Sequence, residues 1–470
     1  MKGQTHRGTI GVIACLYALI LLTGKGWVQG TWTWQQQCDS NEWRTICYTD
    51  AGCGRDQNGN PIHRYFNNWG LSQCGVSPGL PGPGSVCIFP AGANALLNSN
   101  VNILSVGISN GAIFSWQSGS LTLRNPSDNS PGTLSNLGLL RMVGNSSRYL
   151  SGVLVNTGTL VHEDGPTYFN GASLQNSGTA EVRLGGWYSN TGTNSLVNTG
   201  TLRKVSPDPN NPTSFTITVN TTNSGLIEVQ NGTLSVSNLT QTAGEARIRR
   251  GATLSVVSNP LAMQGGKLTG AGQLSGALNN TAGTIAPGID DPDQPDLNPL
   301  GILTINGNLT LGNDAIFEVE LAGTDNSDPA NPQYDRVVIS GSNRTVQVNG
   351  TLRVKARDGY TPVTGDTFDI LVRSGSWNRT GAFHTVEVDP DTLPCIAFEV
   401  QYLSDRVRLI ARLTTDPDVN GDGCVDDADL LAVLFAFGQT GSNLAEDIIC
   451  DGVVDDADLL SVLFAFGSGC

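Results

Sequence analysis

Between about residues 90 and 290, apolar positions alternate with polar ones in short runs that stop at Asn, Gly or Ser. One unit returns several times: Leu134-Ser-Asn-Leu-Gly-Leu-Leu140 reappears as Leu154-Val-Asn-Thr-Gly-Thr-Leu160, Leu174-Gln-Asn-Ser-Gly-Thr-Ala180, Leu196-Val-Asn-Thr-Gly-Thr-Leu202 and, more loosely, Thr221-Thr-Asn-Ser-Gly-Leu-Ile227. Its Asn residues, Asn136, Asn156, Asn176, Asn198 and Asn223, follow one another by 20, 20, 22 and 25 positions. A period of two is that of a strand buried on one face. Asn-x-Gly between two such strands reads as a tight turn, because Asn and Gly tolerate the positive φ that turns require. A unit of this size cannot enclose a core. Stacked copies can, burying a column of Leu, Val and Ile while the turns align along one edge. The density of Gly and Asn excludes a long helix.

The alternation continues in Phe317-Glu-Val-Glu-Leu321 and Val346-Gln-Val348, both half-buried strands by pattern. Together with the repeats, "LGILTINGNLTLGNDAIFEVELAG" (300–323), "YDRVVISG" (334–341), "VNGTLRVKA" (348–356) and "TGDTFDILVRSGSWNRTGAF" (364–383) resemble the passenger-like parallel β-helix regions of bacterial surface proteins. The resemblance implies a mainly β chain, a right-handed parallel β-helix or solenoid, with repeats over 91–286 and a closing region over 287–413. It specifies no activity. A solenoid must cover its open ends. Residues 31–90 carry Cys38, Cys47, Cys53, Cys74 and Cys87 with Trp32, Trp34, Trp43 and Trp69. They are expected to form a disulfide-rich N-terminal cap stapled by two disulfides, with a sugar-binding aromatic platform as the alternative.

The pattern changes at residues 414–470. "DGCVDDADLLAVLFAFG" (422–438) returns as "DGVVDDADLLSVLFAFG" (451–467), with two differences in seventeen positions. Each copy is an acidic loop followed by a helix with almost no polar face: Leu430, Leu431, Val433, Leu434, Phe435 and Phe437 in the first, Leu459, Leu460, Val462, Leu463, Phe464 and Phe466 in the second. The first loop fits a twelve-position calcium loop, which takes oxygen ligands at positions 1, 3, 5, 7, 9 and 12 and a Gly at position 6. Those ligands are Asp418, Asn420, Asp422, the Cys424 carbonyl, Asp426 and Asp429, with Gly423 at the bend. In the second loop they are Asp447, Asp451, the Val453 carbonyl, Asp455 and Asp458, while Ile449 stands where a ligand is needed. Calcium is expected to bind more weakly there, or with water completing the site. Asp rather than Glu closes each loop, and "TTDP" before the first is no entering helix. Over residues 416–470 the pair resembles a type I dockerin, the calcium-dependent module that plugs into cohesin domains. The resemblance implies a small α-helical C-terminal domain, calcium as cofactor and a cohesin-like protein domain as partner. It also implies contact through Asp427-Ala428 and Asp456-Ala457, just inside each helix. A self-contained tail that only caps or sorts the protein is the alternative. Cys424, Cys450 and Cys470 are expected to contribute one disulfide within this domain.

Composition narrows the function. Lys2 and Arg7 before the apolar run Ile10–Leu22 and the small, polar stretch to Gly30 read as a secretory signal peptide over residues 1–30. That run is too short to span a bilayer, and no other segment looks transmembrane. Loss of Lys2, Arg7 and Lys25 takes the net charge from −15 to −18, which disfavours nucleic acid and anionic membrane. In an exported chain the cysteines are read as disulfides, and no CxxC pair or His pair exists to hold zinc. Acids are sparse: from residue 101 to residue 289 only Asp128, Glu163, Asp164, Glu181, Asp208, Glu228 and Glu245 occur, and glycoside hydrolysis by the usual route needs two positioned carboxylates. His162-Glu163-Asp164 reads as a charged turn. Arg247, Arg249 and Arg250 read as a solvated basic face, with a polyanion contact as the alternative. The expected protein is a secreted or cell-surface, non-enzymatic β-solenoid of structural or adhesive type with a calcium-dependent docking tail and no catalytic residue to name. The alternative is a carbohydrate-active enzyme or glycan-binding component of a cellulosome-like polysaccharide-degrading system, with a cell-surface glycan as ligand. A third reading is self-association through the solenoid ends and the apolar helices.

Overall fold

The computed structural model describes residues 91–413 apart from 99, 291–297 and 394, and residues 416–470 apart from 442–443. Ahead of these it describes the strands Thr31–Trp34, Thr45–Thr49, His63–Asn67, Gly70–Ser72 and Val86–Phe89. The expected signal peptide and, apart from Ile88 and Phe89, the side chains of the expected cap lie outside the described residues.

The alternating positions do form strands, and the copies pair side by side in register. Leu134, Leu154, Leu174 and Leu196 occupy successive rungs of one parallel ladder, and Leu140, Leu160, Ala180, Leu202 and Ile227 those of another. A parallel sheet of 13 strands runs from Asn94–Leu97 to Thr385–Val388. The remaining ladders are also parallel from Val86–Phe89 to Thr367–Gly381 and are joined where Arg148–Asn156, Pro166–Asn176 and Arg336–Val348 run through both. The chain is thus mainly β with long parallel sheets, an arrangement consistent with a solenoid. Inward positions make one continuous apolar core from Phe89 to Ala411. The stack ends on an antiparallel hairpin, Ile396–Tyr402 with Arg406–Leu413, laid against Thr367–Gly381.

The recurrent Asn-x-Gly is explained differently from the turn reading. None of the five Asn residues has positive φ, and neither do Gly138, Gly158, Gly178, Gly200 and Gly225. Each Asn ends a strand and is buried. Its Nδ2 donates to Oδ1 of the Asn one rung on, at 2.6 Å from Asn136 to Asn156, Asn156 to Asn176, Asn176 to Asn198 and Asn198 to Asn223. Gln241 closes the row by accepting from Asn223 at 2.7 Å. A buried amide must be paired, and a rung-to-rung ladder is the pairing that stacking offers. The glycines are required by close approach: a Cβ at Gly158, Gly178 or Gly200 would overlap the carbonyl oxygen of the glycine one rung before. At the open end, Asn136 Oδ1 has no partner because the preceding rung supplies Ile108.

Two further sequence expectations change. His162 ends the strand Thr159–His162 and is buried, so it belongs to the core and not to a charged turn. Trp187 Nε1 donates to its Nδ1 at 2.9 Å, so the ring proton is on Nε2, which donates to Gly165 O at 2.8 Å. Burial, and then the guanidinium of buried Arg148, push its pKa down to about 3. Two arginines of the basic cluster are paired with carboxylates: Arg249 bonds buried Glu228 at 2.6 Å, which Arg203 also bonds at 2.8 Å, and Arg247 pairs with Glu245 at 2.9 Å, while Arg250 donates to the Pro329 carbonyl. Burial alone would raise the Glu228 pKa, but its bonds to Arg203 and Arg249 hold it below the usual range. Glu228 is thus bridged from the rungs on either side by Arg203 and Arg249.

The ladder predicts an asymmetry. Asn176→Leu strands partners on both sides and should cost roughly 2–4 kcal/mol, whereas Asn136→Leu at the open end removes an orphaned oxygen and should cost less. Denaturant unfolding of both variants measures the difference, and equal losses would show that the amides do not act as a row. The imidazole predicts a pH effect. An unfolded histidine takes up a proton below about 6.5, while folded His162 stays neutral down to about 3. Stability should thus fall as pH drops through that window, by up to about 1.4 kcal/mol per pH unit. His162→Gln should flatten the slope in acid titrations of amide exchange in the rungs around it.

Candidate metal centre

Each C-terminal loop–helix unit is built by aspartates that serve the backbone. In the first, Asp418 accepts from the N–H of Gly421 at 2.9 Å, of Asp422 at 3.2 Å and of Gly423 at 2.8 Å. Asn420 Oδ1 accepts from Asp422 N–H at 2.8 Å, and Asp422 from Cys424 N–H at 2.9 Å. Gly423 takes φ +92° at the sharp bend, where a side chain would be strained. Asp426 is the N-cap of α1 (Asp427–Ala436) and accepts from Ala428 N–H at 2.8 Å. Asp429 completes a capping box by accepting from Asp426 N–H at 2.9 Å, and it reaches back to Asn420 N–H at 3.0 Å. Those two N–H bonds, the one from Asp426 first, hold the buried Asp429 carboxyl below its usual range.

The second unit repeats this. Asp447 accepts from Asp451 N–H at 3.1 Å and Gly452 N–H at 2.8 Å, with Gly452 at φ +88°. Asp451 accepts from Val453 N–H at 3.0 Å. Asp455 caps α2 (Asp456–Ala465), accepting from Ala457 N–H at 2.8 Å. Asp458 accepts from Asp455 N–H and Ile449 N–H, each at 2.9 Å. The units are tied by reciprocal backbone bonds: Val425 N–H to Ser468 O and Gly467 N–H to Val425 O, mirrored by Val454 N–H to Gln439 O and Gly438 N–H to Val454 O. Val425, Val433, Ala436, Ile448, Val454 and Val462 form a separate small core between the helices.

All the first-loop residues singled out in the sequence thus lie on one loop and the first turn of its helix, and those of the second loop do the same. Among the described residues, no three His, Cys, Asp or Glu side chains gather closely enough to hold an ion by themselves. The donors are hard oxygens, which suit calcium. A carboxylate has about four acceptor positions, so the scaffold bonds leave lone pairs on Asp418, Asp422 and Asp429.

The cysteines pair in a way that spacing did not reveal. Cys424 joins Cys470 within the tail, as expected of one bridge there, but Cys450 joins Cys395 in the body, with Cα atoms 6.0 Å apart. The helices bury one stripe each and leave Leu431, Leu434, Phe435 and Phe437, and their counterparts Leu460, Leu463, Phe464 and Phe466, exposed. Phe435 and Phe464 are 83% and 87% exposed, far beyond what a closed two-helix domain leaves in water. Asp427 and Ala428 are exposed at the start of α1, and Asp456 is exposed at the start of α2. Among the described residues no helix is long and apolar enough to cross a membrane. Comparison with protein-family models and with curated proteins finds no match for the chain.

Because Asp429 holds both the loop and the first turn, Asp429→Ala should cost about 1–2 kcal/mol of tail stability even with all divalent ions chelated. Asp422→Ala, which frees one exposed N–H, should cost a few tenths. Helix content followed by circular dichroism during melting in chelator separates them.

Proposed function

We propose that this chain is an exported, non-enzymatic β-solenoid, structural or adhesive in role, that attaches to an extracellular or cell-surface assembly through a dockerin-like tail closed by calcium. The observation that carries the reading is the near doubling of the tail: two loop–helix units with matching carboxylate-to-backbone bonds, each presenting the same exposed Leu-Leu-Phe-Phe face. An apolar surface of that size on a small domain needs a covering partner. A cohesin-like protein domain is the partner proposed, meeting Asp427-Ala428, Asp456-Ala457 and the neighbouring leucines and phenylalanines. Two disulfides support export to an oxidising compartment.

In the first loop, calcium would be held by Asp418, Asn420, Asp422, the Cys424 carbonyl, Asp426 and Asp429. Bound there, it supplies the positive charge that offsets crowding of these aspartates and so couples ion binding to folding of the helix pair. The second loop would offer Asp447, Asp451, the Val453 carbonyl, Asp455 and Asp458. Against catalysis by the body stands its use of carboxylates: Glu163 bonds Arg141, Glu181 bonds Arg183, and Glu228 and Glu245 bond arginines.

Calorimetry on the full chain should show calcium binding that Asp418→Ala and Asp429→Ala each abolish. Unchanged binding in both would remove the ligand assignment. Capture on immobilised cohesin-type domains should require calcium and drop by at least tenfold, about 1.4 kcal/mol, in Phe435→Ser/Phe464→Ser. Release of reducing ends from pectin, xylan or cellulose would overturn the non-enzymatic assignment.

A further inference from the structure

The two loops differ at the place where the second leaves the calcium pattern. The first reads Asp418-Val-Asn-Gly-Asp-Gly and the second Asp447-Ile-Ile-Cys-Asp-Gly. Position three changes from Asn420, an oxygen donor, to Ile449, which has none. Position four changes from Gly421 to Cys450, and both adopt the left-handed backbone, at φ +73° and +59°. Outside Gly, that conformation is disfavoured and persists where surroundings impose it. Here Cys450 is bonded to Cys395, itself at φ +56°. Cys395 immediately precedes the strand Ile396–Tyr402, whose first residue pairs with Leu413, the last residue of the body's final strand. The chain therefore leaves the body at Leu413 and is bonded back beside that exit through the second loop. Despite the missing ligand, this loop keeps the bonds of Asp447 to the N–H groups of Asp451 and Gly452 and those of Asp458 to Ile449 and Asp455; at position four it differs, since Cys450 N–H bonds the Asp447 backbone carbonyl where Gly421 N–H bonds the Asp418 carboxylate.

We infer that the Cys395–Cys450 disulfide takes over in the second loop the ordering role that an ion has in the first. The tail is a one-ion module whose second half is clamped covalently to the end of the β body. The bridge fixes the loop at its left-handed position and removes the need for a ligand at position three. It also gives the tail a second covalent attachment beside its exit strand. The count of ions rests on the calcium reading above, but the clamp does not.

The test uses three forms of the full chain: the natural sequence, Cys395→Ser/Cys450→Gly, which removes the bridge, and Cys395→Ser/Ile449→Asn/Cys450→Gly, which also rebuilds the first loop's pattern. Proteolysis is mapped separately to residues 418–429 and 447–458, in calcium and in chelator, and calcium is counted by calorimetry. In the natural chain, chelation should expose the first loop while the second stays protected, with about one ion bound per chain. Without the bridge, cleavage in the second loop should rise by about tenfold in chelator. The rebuilt variant should bind about two ions and regain protection of the second loop only in calcium. Equal cleavage of the second loop with and without the bridge would overturn the clamp, and a second ion of similar affinity in the natural chain would overturn the one-ion count. If no form binds calcium but the bridge still decides protection in chelator, the calcium reading falls and the clamp stands.

Discussion

Parallel stacking at a spacing of one rung imposes a single condition on everything in the β body: whatever occupies a position meets its own counterpart above and below. An inward leucine meets a leucine, and the column from Phe89 to Ala411 follows. An inward amide meets an amide, which gives each interior Asn Oδ1 its donor, while Nδ2 also donates to a backbone carbonyl of the next rung. A glycine meets a glycine because the backbones pass too closely for a Cβ. An outward arginine meets a glutamate, as Arg203 and Arg249 meet Glu228 from the rungs on either side. Each is a local rule repeated, so stability is spread along the stack as nearest-neighbour terms rather than concentrated in one centre.

Such a stack has trouble only where the repeat is broken. Asn136 Oδ1 is orphaned where Ile108 interrupts the row. Polar groups that enter the column without a like neighbour need a local network instead. His162 is held by Trp187 and Gly165. Lys204 is held by the Val205 carbonyl and the hydroxyls of Ser206 and Thr213, and burial brings its pKa down to about 8. These buried polar groups give the structure by themselves no reason to be a site.

The tail obeys a different economy. Its core of six small and medium side chains is meagre, and its aspartates do the work that apolar burial does in the body. One carboxylate, Asp429, both ties the loop and caps the helix, so the fold of each draws on the same group. Two covalent bridges complete the frame, one inside the tail and one to the body.

Much of this was legible in the residue order. Alternation specified strands, the recurrence of Leu-x-Asn-x-Gly specified stacking, and the duplicated segment specified two loop–helix units, because each depends on side-chain chemistry over a few neighbouring positions; that Asp426 and Asp455 cap those helices emerged only from the structure. What the order could not settle were matters of distance between rungs. The Asn-x-Gly signature fits a positive-φ turn and a buried amide ladder equally well, since both use a small polar residue beside glycine, and only stacking shows that the backbone is extended and the amide internal. Gln241 joins the row although no Asn-x-Gly marks it. His162 looked like part of a charged turn because Glu163 and Asp164 follow it, yet strand alternation turns it inward. The pairing of Cys395 with Cys450 was hidden for the same reason: 55 positions separate them, and only the folding back of the tail beside the body's exit strand brings the two sulfurs together.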